Sequence, residues 1–131
     1  MCKKIFLIVY LLLIQFFPSI SLGSNDKVYY CIQEENVGFD PGKTYKFRKF
    51  KEKRFKVLID FDRKVINSKT IFFGSNRDVC KTYQDNLYCS NFMGGTFSIN
   101  KNTLKFHYSS VWISKNQTDT IEISHGRCEV F

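Results

Sequence analysis

Alternating apolar and polar residues along the chain predict short β-strands. Residues 54–61 (RFKVLIDF) carry an apolar side chain at every second position, which is the period of a strand with one buried face. Polar residues 62–64 follow as a turn, and residues 64–73 predict the return strand. This hairpin is the clearest structural element that the sequence predicts.

The same pattern recurs on both sides of the hairpin. Upstream, residues 28–33 predict the first strand, residues 34–43 a loop rich in turn-forming residues, and residues 44–48 a half-exposed strand. Gly126 predicts a β-bulge near the end of the chain. No segment has a sustained helical period. Further strands are predicted at residues 79–83, 87–91, 96–99, 103–108, 109–113 and 120–125.

These strands are close together and joined mostly by turns of hairpin length, which predicts an all-β fold. We expect about 8–10 short strands in an antiparallel meander that closes as a small barrel, with a β-sandwich as the alternative. A barrel leaves fewer exposed strand edges than a flat sheet does.

Two of the predicted turns share a sequence pattern. Residues 61–66 and 99–104 both run apolar, Asp or Asn, basic, Lys or Asn, β-branched, then Ile or Leu. Asp62 and Asn100 would open the turns, and Lys64 and Asn102 would take the left-handed backbone conformation.

The first 23 residues predict a secretory signal peptide. Lys3 and Lys4 precede an apolar run at residues 5–17, and small residues near Gly23 fit a cleavage site. The run is shorter than the roughly 20 residues that a membrane-spanning helix needs. We therefore expect a single β-rich domain at residues 24–131 with no transmembrane segment after cleavage, in the periplasm or outside the cell.

Four cysteines follow the predicted signal peptide: Cys31, Cys80, Cys89 and Cys128. An exported chain with four cysteines predicts two disulfides. Of the three possible connectivities we favour Cys80–Cys89, which would clip a hairpin, and Cys31–Cys128, which would join the first strand to the last. The latter closes a loop of nearly a hundred residues and could stabilise the fold by on the order of 4–5 kcal/mol.

The chain after the predicted leader is basic, with a net charge of about +6, because 18 Lys and Arg oppose 12 Asp and Glu. This charge favours an anionic lipid, a glycan or an acidic protein as partner, whereas export disfavours nucleic acid. The cations concentrate between Lys43 and Lys56, interleaved with aromatic residues. The alternative is that they form only the solvated face of an edge strand. The candidate binding residues are Lys46, Arg48, Lys49, Lys51, Lys53 and Arg54.

Catalytic and metal-binding signatures are weak in this sequence. His107 and His125 are the only histidines, and Asp60 and Asp62 form no recognisable catalytic pair with them. The cysteines lack zinc-type spacing, so we expect no metal, no cofactor and no catalytic residue. The aromatic side chains of Phe106, Tyr108 and Trp112 could line a barrel mouth and hold an apolar ligand.

Tyr30-Cys31, Gly126-Arg127-Cys128 and the stretch GTFSINKNTLKF resemble small exported proteins of unknown function from Gram-negative bacteria. More distantly, Tyr29-Tyr30-Cys31 and Cys128 resemble the cysteine motifs of membrane-bound lysozyme inhibitors. The Ser-Gly-x-x-Tyr loop and lipid-anchor cysteine of that family have no counterpart here. The resemblance therefore implies a barrel and an exported location, without inhibition of lysozyme.

These observations predict a non-enzymatic exported module that binds a partner or serves the cell envelope. Two alternatives remain: a small hydrolase with its site in the barrel mouth, and a secreted factor or inhibitor that acts on another protein.

Overall fold

A computed structural model describes residues 27–39, 46–112 and 120–131, which form strands without a helix. Residues 1–26, which include the predicted leader, and residues 40–45 and 113–119 lie outside the described residues. The nine strands are β1 Lys27–Phe39, β2 Phe47–Lys49, β3 Arg54–Asp60, β4 Val65–Asn67, β5 Val79–Tyr83, β6 Asn86–Ser90, β7 Gly95–Asn100, β8 Lys105–Trp112 and β9 Thr120–Val130.

The strands form one antiparallel sheet in the order β4-β3-β1-β9-β8-β7-β6-β5, curled into a nearly closed eight-stranded barrel. The short strand β2 pairs with the far half of β1, while β3 pairs with its first half. β9 pairs with β1 along nearly its whole length. The first and last strands are thus neighbours, which confirms the predicted antiparallel barrel.

The barrel interior is filled with side chains. Eight strands enclose a space just wide enough for side chains to fill. Phe106 lies at its centre, stacked on Phe97 with ring centroids 5.6 Å apart and edge-on to Phe55 at 5.4 Å. Both predicted disulfides are formed, and they link directly opposed residues of neighbouring strands, Cys31 with Cys128 and Cys80 with Cys89.

The first strand is longer than predicted. Residues 34–39 continue β1 instead of forming a loop, because a bulge between Gln33 and Glu35 lets the strand keep pairing with β9. The predicted bulge at Gly126 therefore lies on the opposite strand, since Gln33 pairs with Gly126. Glycine is required at position 126 because β1 approaches the backbone closely there, and a Cβ atom would lie 2.0 Å from the Ile32 carbonyl oxygen.

The predicted return strand at residues 64–73 is mostly turn. β4 ends at Asn67, and the chain then folds back so that Ser68 and Phe73 exchange two backbone hydrogen bonds of 2.9 Å. Ile71 and Phe73 are nevertheless buried in the core. Their apolar character predicted burial correctly but could not distinguish a strand from a folded loop.

The two similar turns are real, but their opening residue differs from the prediction. Asp60 opens the first turn instead of Asp62, and its Oδ1 accepts hydrogen bonds of 2.9 Å from the backbone N–H groups of Asp62 and Arg63. Asn100 opens the second in the same way. The left-handed residues are Lys64, as predicted, and Leu104 instead of Asn102. The repeat therefore aligns residue 60 with residue 100.

Within the described residues, no helix has the length and apolar character that crossing a bilayer requires.

Candidate functional site

The predicted basic residues lie on the outside of the barrel. The chain carries them from the residue before β2, through β2 and the link after it, to the first residue of β3, and all six are exposed: Lys46, Arg48, Lys49, Lys51, Lys53 and Arg54. Lys49 and Lys53 form ion pairs. Lys53 Nζ lies 3.1 Å from Glu122 Oε1, and Lys49 Nζ lies 3.8 Å from Glu52 Oε1.

The strand register adds cations that are remote in the sequence. Arg54 pairs with Ile32, Ile32 with Arg127, and Arg127 with Lys105, so three cations and one isoleucine form a row across four strands. The adjacent row contains Lys56, Tyr30 and Glu129. We call the surface formed by Arg54, Lys56, Lys105, Arg127, Tyr30 and Ile32 the basic outer face.

Exposed apolar side chains belong to the same surface. Tyr30 and Ile32 are 41% and 43% exposed, and the terminal Phe131 is 90% exposed. Lys56 Nζ lies 5.3 Å from the centroid of the Tyr30 ring, and the Phe131 ring lies 5.3 Å from the same ring. The basic outer face thus combines positive charge with exposed aromatic and aliphatic side chains, whose contact with water is unfavourable.

Of the six predicted candidates only Arg54 belongs to the basic outer face. The sequence analysis did not select its other members, Lys56, Lys105, Arg127, Tyr30 and Ile32. The predicted Cys31–Cys128 disulfide could have indicated part of this surface, because it fixes the register of the first and last strands. If these cysteines are opposed in an antiparallel pair, then Ile32 must lie opposite Arg127 and Tyr30 opposite Glu129.

The barrel mouth beside β1 and β9 contains a small polar cluster. Fully buried Gln33 donates from Nε2 to Ser124 Oγ at 2.9 Å and accepts from the Lys53 backbone N–H at 2.9 Å. Asn36 Nδ2 donates to Glu122 Oε1 at 2.7 Å. A cavity of about 180 Å³ adjoins this cluster and is smaller than the roughly 300 Å³ at which typical ligand pockets begin.

Tyr108 also lines this cavity and is part of the core. Burial raises the pKa of its phenol; the nearby Glu122 charge raises it further, whereas a hydrogen bond with Ser110 lowers it. Phe106 is fully buried, and Trp112 ends β8 with its side chain outside the described part of the chain. The first two of the three predicted mouth aromatics therefore fill the barrel instead of lining an open apolar cavity.

The ionisable residues with catalytic potential are distributed over different parts of the barrel. His107 and His125 are neighbours on the outer face, with ring centroids 6.2 Å apart. His125 Nε2 lies 3.4 Å from Glu35 Oε2. Asp60 instead holds a turn, and its Oδ2 lies 3.6 Å from Arg63 Nε. Among the described residues, no group of three or more His, Cys, Asp or Glu side chains could hold a metal ion.

Comparison of the chain with protein-family models, curated proteins and solved structures finds no match. The resemblance to exported proteins and to lysozyme inhibitors therefore stays a prediction from the residues quoted above.

Proposed function

We propose that this protein is an exported, non-enzymatic binding module that docks on an anionic lipid surface through its basic outer face. The observation that carries this proposal is the row of Arg54, Ile32, Arg127 and Lys105, which the register assembles beside Lys56 and Tyr30. The filled barrel interior favours contact through the outer surface over binding of an apolar ligand inside.

A lipid surface suits this chemistry better than a glycan or an acidic protein does. Each Lys or Arg near an anionic membrane contributes about 1 kcal/mol, so roughly 4 kcal/mol is the upper bound for the four cations. Two carboxylates lower this sum, since Glu34 Oε1 lies 3.6 Å from Arg127 Nη2 and Glu129 lies beside Tyr30. Aromatic and aliphatic side chains can enter the headgroup region beside them, and Tyr30, Ile32 and Phe131 are exposed there. A purely ionic partner would leave these apolar side chains in water.

The two disulfides support an oxidising compartment, the periplasm or the extracellular space. The leader-like pattern of residues 1–23 agrees with that location.

The first test is sedimentation with vesicles. The mature chain should sediment with vesicles of phosphatidylglycerol and phosphatidylcholine but stay in solution with phosphatidylcholine alone. Raising salt from about 0.1 M to about 1 M should release it, because the screening length falls from about 10 Å to about 3 Å. No binding at low salt, or binding that salt does not weaken, would contradict the proposal.

Matched charge variants locate the surface. Arg54→Gln/Lys56→Gln should weaken vesicle binding about tenfold or more, since two contributions of about 1 kcal/mol are lost. Lys69→Gln/Arg77→Gln removes the same net charge at exposed positions elsewhere and should bind almost as the wild type does. Equal loss in both variants would mean that only net charge matters.

A third variant separates lipid from the other anionic partners. Ile32→Ser keeps every charge of the basic outer face but removes an exposed aliphatic side chain. It should weaken binding to vesicles and leave unchanged any retention on immobilised heparin. Retention on heparin that persists at salt that abolishes vesicle binding, and that Arg54→Gln/Lys56→Gln reduces, would favour a glycan partner over lipid at this surface.

A further inference from the structure

A second surface lies on the outer face of β5 to β9. Register aligns the residues of five strands in two transverse rows there. One row contains Val79, Ser90, Thr96, Ser109 and Ile123. The other contains Lys81, Tyr88, Ser98, His107 and His125.

The outside of a barrel is convex, so a depression there must come from differences in side-chain size. Four small hydroxyl residues lie between larger ones in these rows, and together they form the floor of a groove of about 440 Å³. We call it the hydroxyl groove. Its floor consists of Ser90, Thr96, Ser98 and Ser109, and its walls include Val79, Lys81, Tyr88, His107 and Ile123.

The volume lies within the range of about 300–1,000 Å³ that is typical of small-ligand sites. Thr96 Oγ1 and Ser109 Oγ lie 2.6 Å apart and share one hydrogen bond. Each Ser or Thr hydroxyl has one donor and two acceptor sites, so the floor still offers both donors and acceptors. A ligand that fits this floor should carry several hydroxyl groups of its own.

The walls add charge and apolar surface. Lys81 and His107 lie on opposite sides of the floor, and no carboxylate lines the groove among the described residues. Tyr88 is 46% exposed, and Val79 and Ile123 are each 54% exposed. The groove could therefore pair an anionic group of a ligand with Lys81. It could also pack an apolar C–H face of that ligand against the Tyr88 ring and the aliphatic side chains.

An extended peptide fits the groove poorly. The floor strands β6, β7 and β8 each pair on both sides, so their backbone groups are engaged within the sheet. Peptides that add a strand need a free sheet edge. Recognition at this surface must therefore use side chains.

We infer that the hydroxyl groove binds an acidic saccharide, with the sugar hydroxyls on the Ser and Thr floor and the carboxylate at Lys81. The pyranose C–H face would pack against Tyr88. The groove contains none of the residues of the basic outer face, although the two surfaces adjoin on β8 and β9, where Lys105 and Arg127 lie beside His107 and His125.

Titration of the labelled protein by two-dimensional ¹H–¹⁵N NMR tests the inference with glucuronic acid as the probe. We expect saturable shifts confined to amides of β5 to β9, with a Kd on the order of 1 mM for so small a ligand. Glucose, which lacks the carboxylate, should bind about two- to fivefold more weakly. Acetate should produce no comparable shifts at the groove.

Variants assign the contacts. Lys81→Gln should abolish the preference for glucuronic acid over glucose, and Tyr88→Ala should weaken both sugars. Tyr83→Ala is the matched control, because Tyr83 is an exposed ring on the same β5–β6 hairpin but does not line the groove. It should leave both affinities unchanged. Spectra of the free variants check that each one is folded.

Three results would overturn the inference: shifts that do not localise to the groove, equal affinity for glucose and glucuronic acid, or acetate shifts that match those of the sugar acid. The last would identify a simple anion contact at Lys81.

Discussion

At the scale of residues, buried tyrosines make the free energy of unfolding of this small barrel depend on pH. Tyr108 is 7% exposed, and burial raises the pKa of its phenol above the usual value of 10.0, as it does for Tyr29. A raised pKa means that the native state holds the proton more tightly than the unfolded chain does. The stability that this difference contributes is complete below pH 10 and is lost as pH rises through the native pKa.

We therefore expect the free energy of unfolding to fall as pH rises above about 10, and Tyr108→Phe to reduce that fall because phenylalanine has no proton to lose. Urea unfolding at several pH values measures it. Tyr83→Phe, at an exposed position, is the control and should keep the wild-type pH dependence. An unchanged pH dependence in Tyr108→Phe would contradict this account.

At the scale of elements, two equivalent turns close one end of the barrel. Asp60 and Asn100 each accept two backbone N–H groups, and Lys101 Nζ lies 6.0 Å from the centroid of the Phe61 ring, so the turns also contact each other. Asp60 is 2% exposed, and hydrogen bonds to a charged group contribute about 1.5–3 kcal/mol. The turn chemistry therefore contributes to stability as well as to register.

Asp60→Ala should lower the free energy of unfolding by about 2–3 kcal/mol, because two N–H groups lose a charged acceptor. Asp62→Ala, at the exposed position that the sequence favoured as the turn opener, should change it by less than about 0.5 kcal/mol. Denaturation with the disulfides intact compares the two. Equal losses would restore Asp62 as the opener.

At the scale of the whole molecule, the barrel is held by a filled core and two covalent links of different reach. Cys31–Cys128 joins residues 97 apart and fastens the first strand to the last, whereas Cys80–Cys89 joins residues 9 apart within one hairpin. In the chain-entropy model the longer loop restricts the unfolded chain more.

The variant Cys31→Ala/Cys128→Ala should lose about 4.7 kcal/mol of stability, against about 2.6 kcal/mol for Cys80→Ala/Cys89→Ala, from loop closure alone. Chemical denaturation of both variants measures the difference, which should be about 2 kcal/mol. Because each variant truncates two cysteine side chains, the comparison offsets much of the cost of lost packing. A larger loss in the hairpin variant would show that local strand pairing dominates.

The sequence by itself determined the all-β class, the antiparallel meander and the buried stripes of apolar residues, and it favoured the barrel and the two disulfide pairs that the structure contains. Side-chain alternation and turn residues are local features of the sequence, so they predict strands, hairpins and buried faces directly. It could not determine that residues 34–39 continue β1, since buried Gln33 and Asn36 look polar and gain their partners only from distant Ser124 and Glu122.

Tertiary structure alone decided the two surfaces. Arg54 and Arg127, like Lys81 and His107, are far apart in sequence and are brought into one row of a surface by strand register. A strand's alternation tells which face a side chain occupies, but only pairing tells which residues lie beside it across the sheet. The basic outer face and the hydroxyl groove are therefore products of register, which the Cys31–Cys128 and Cys80–Cys89 pairs hold in place.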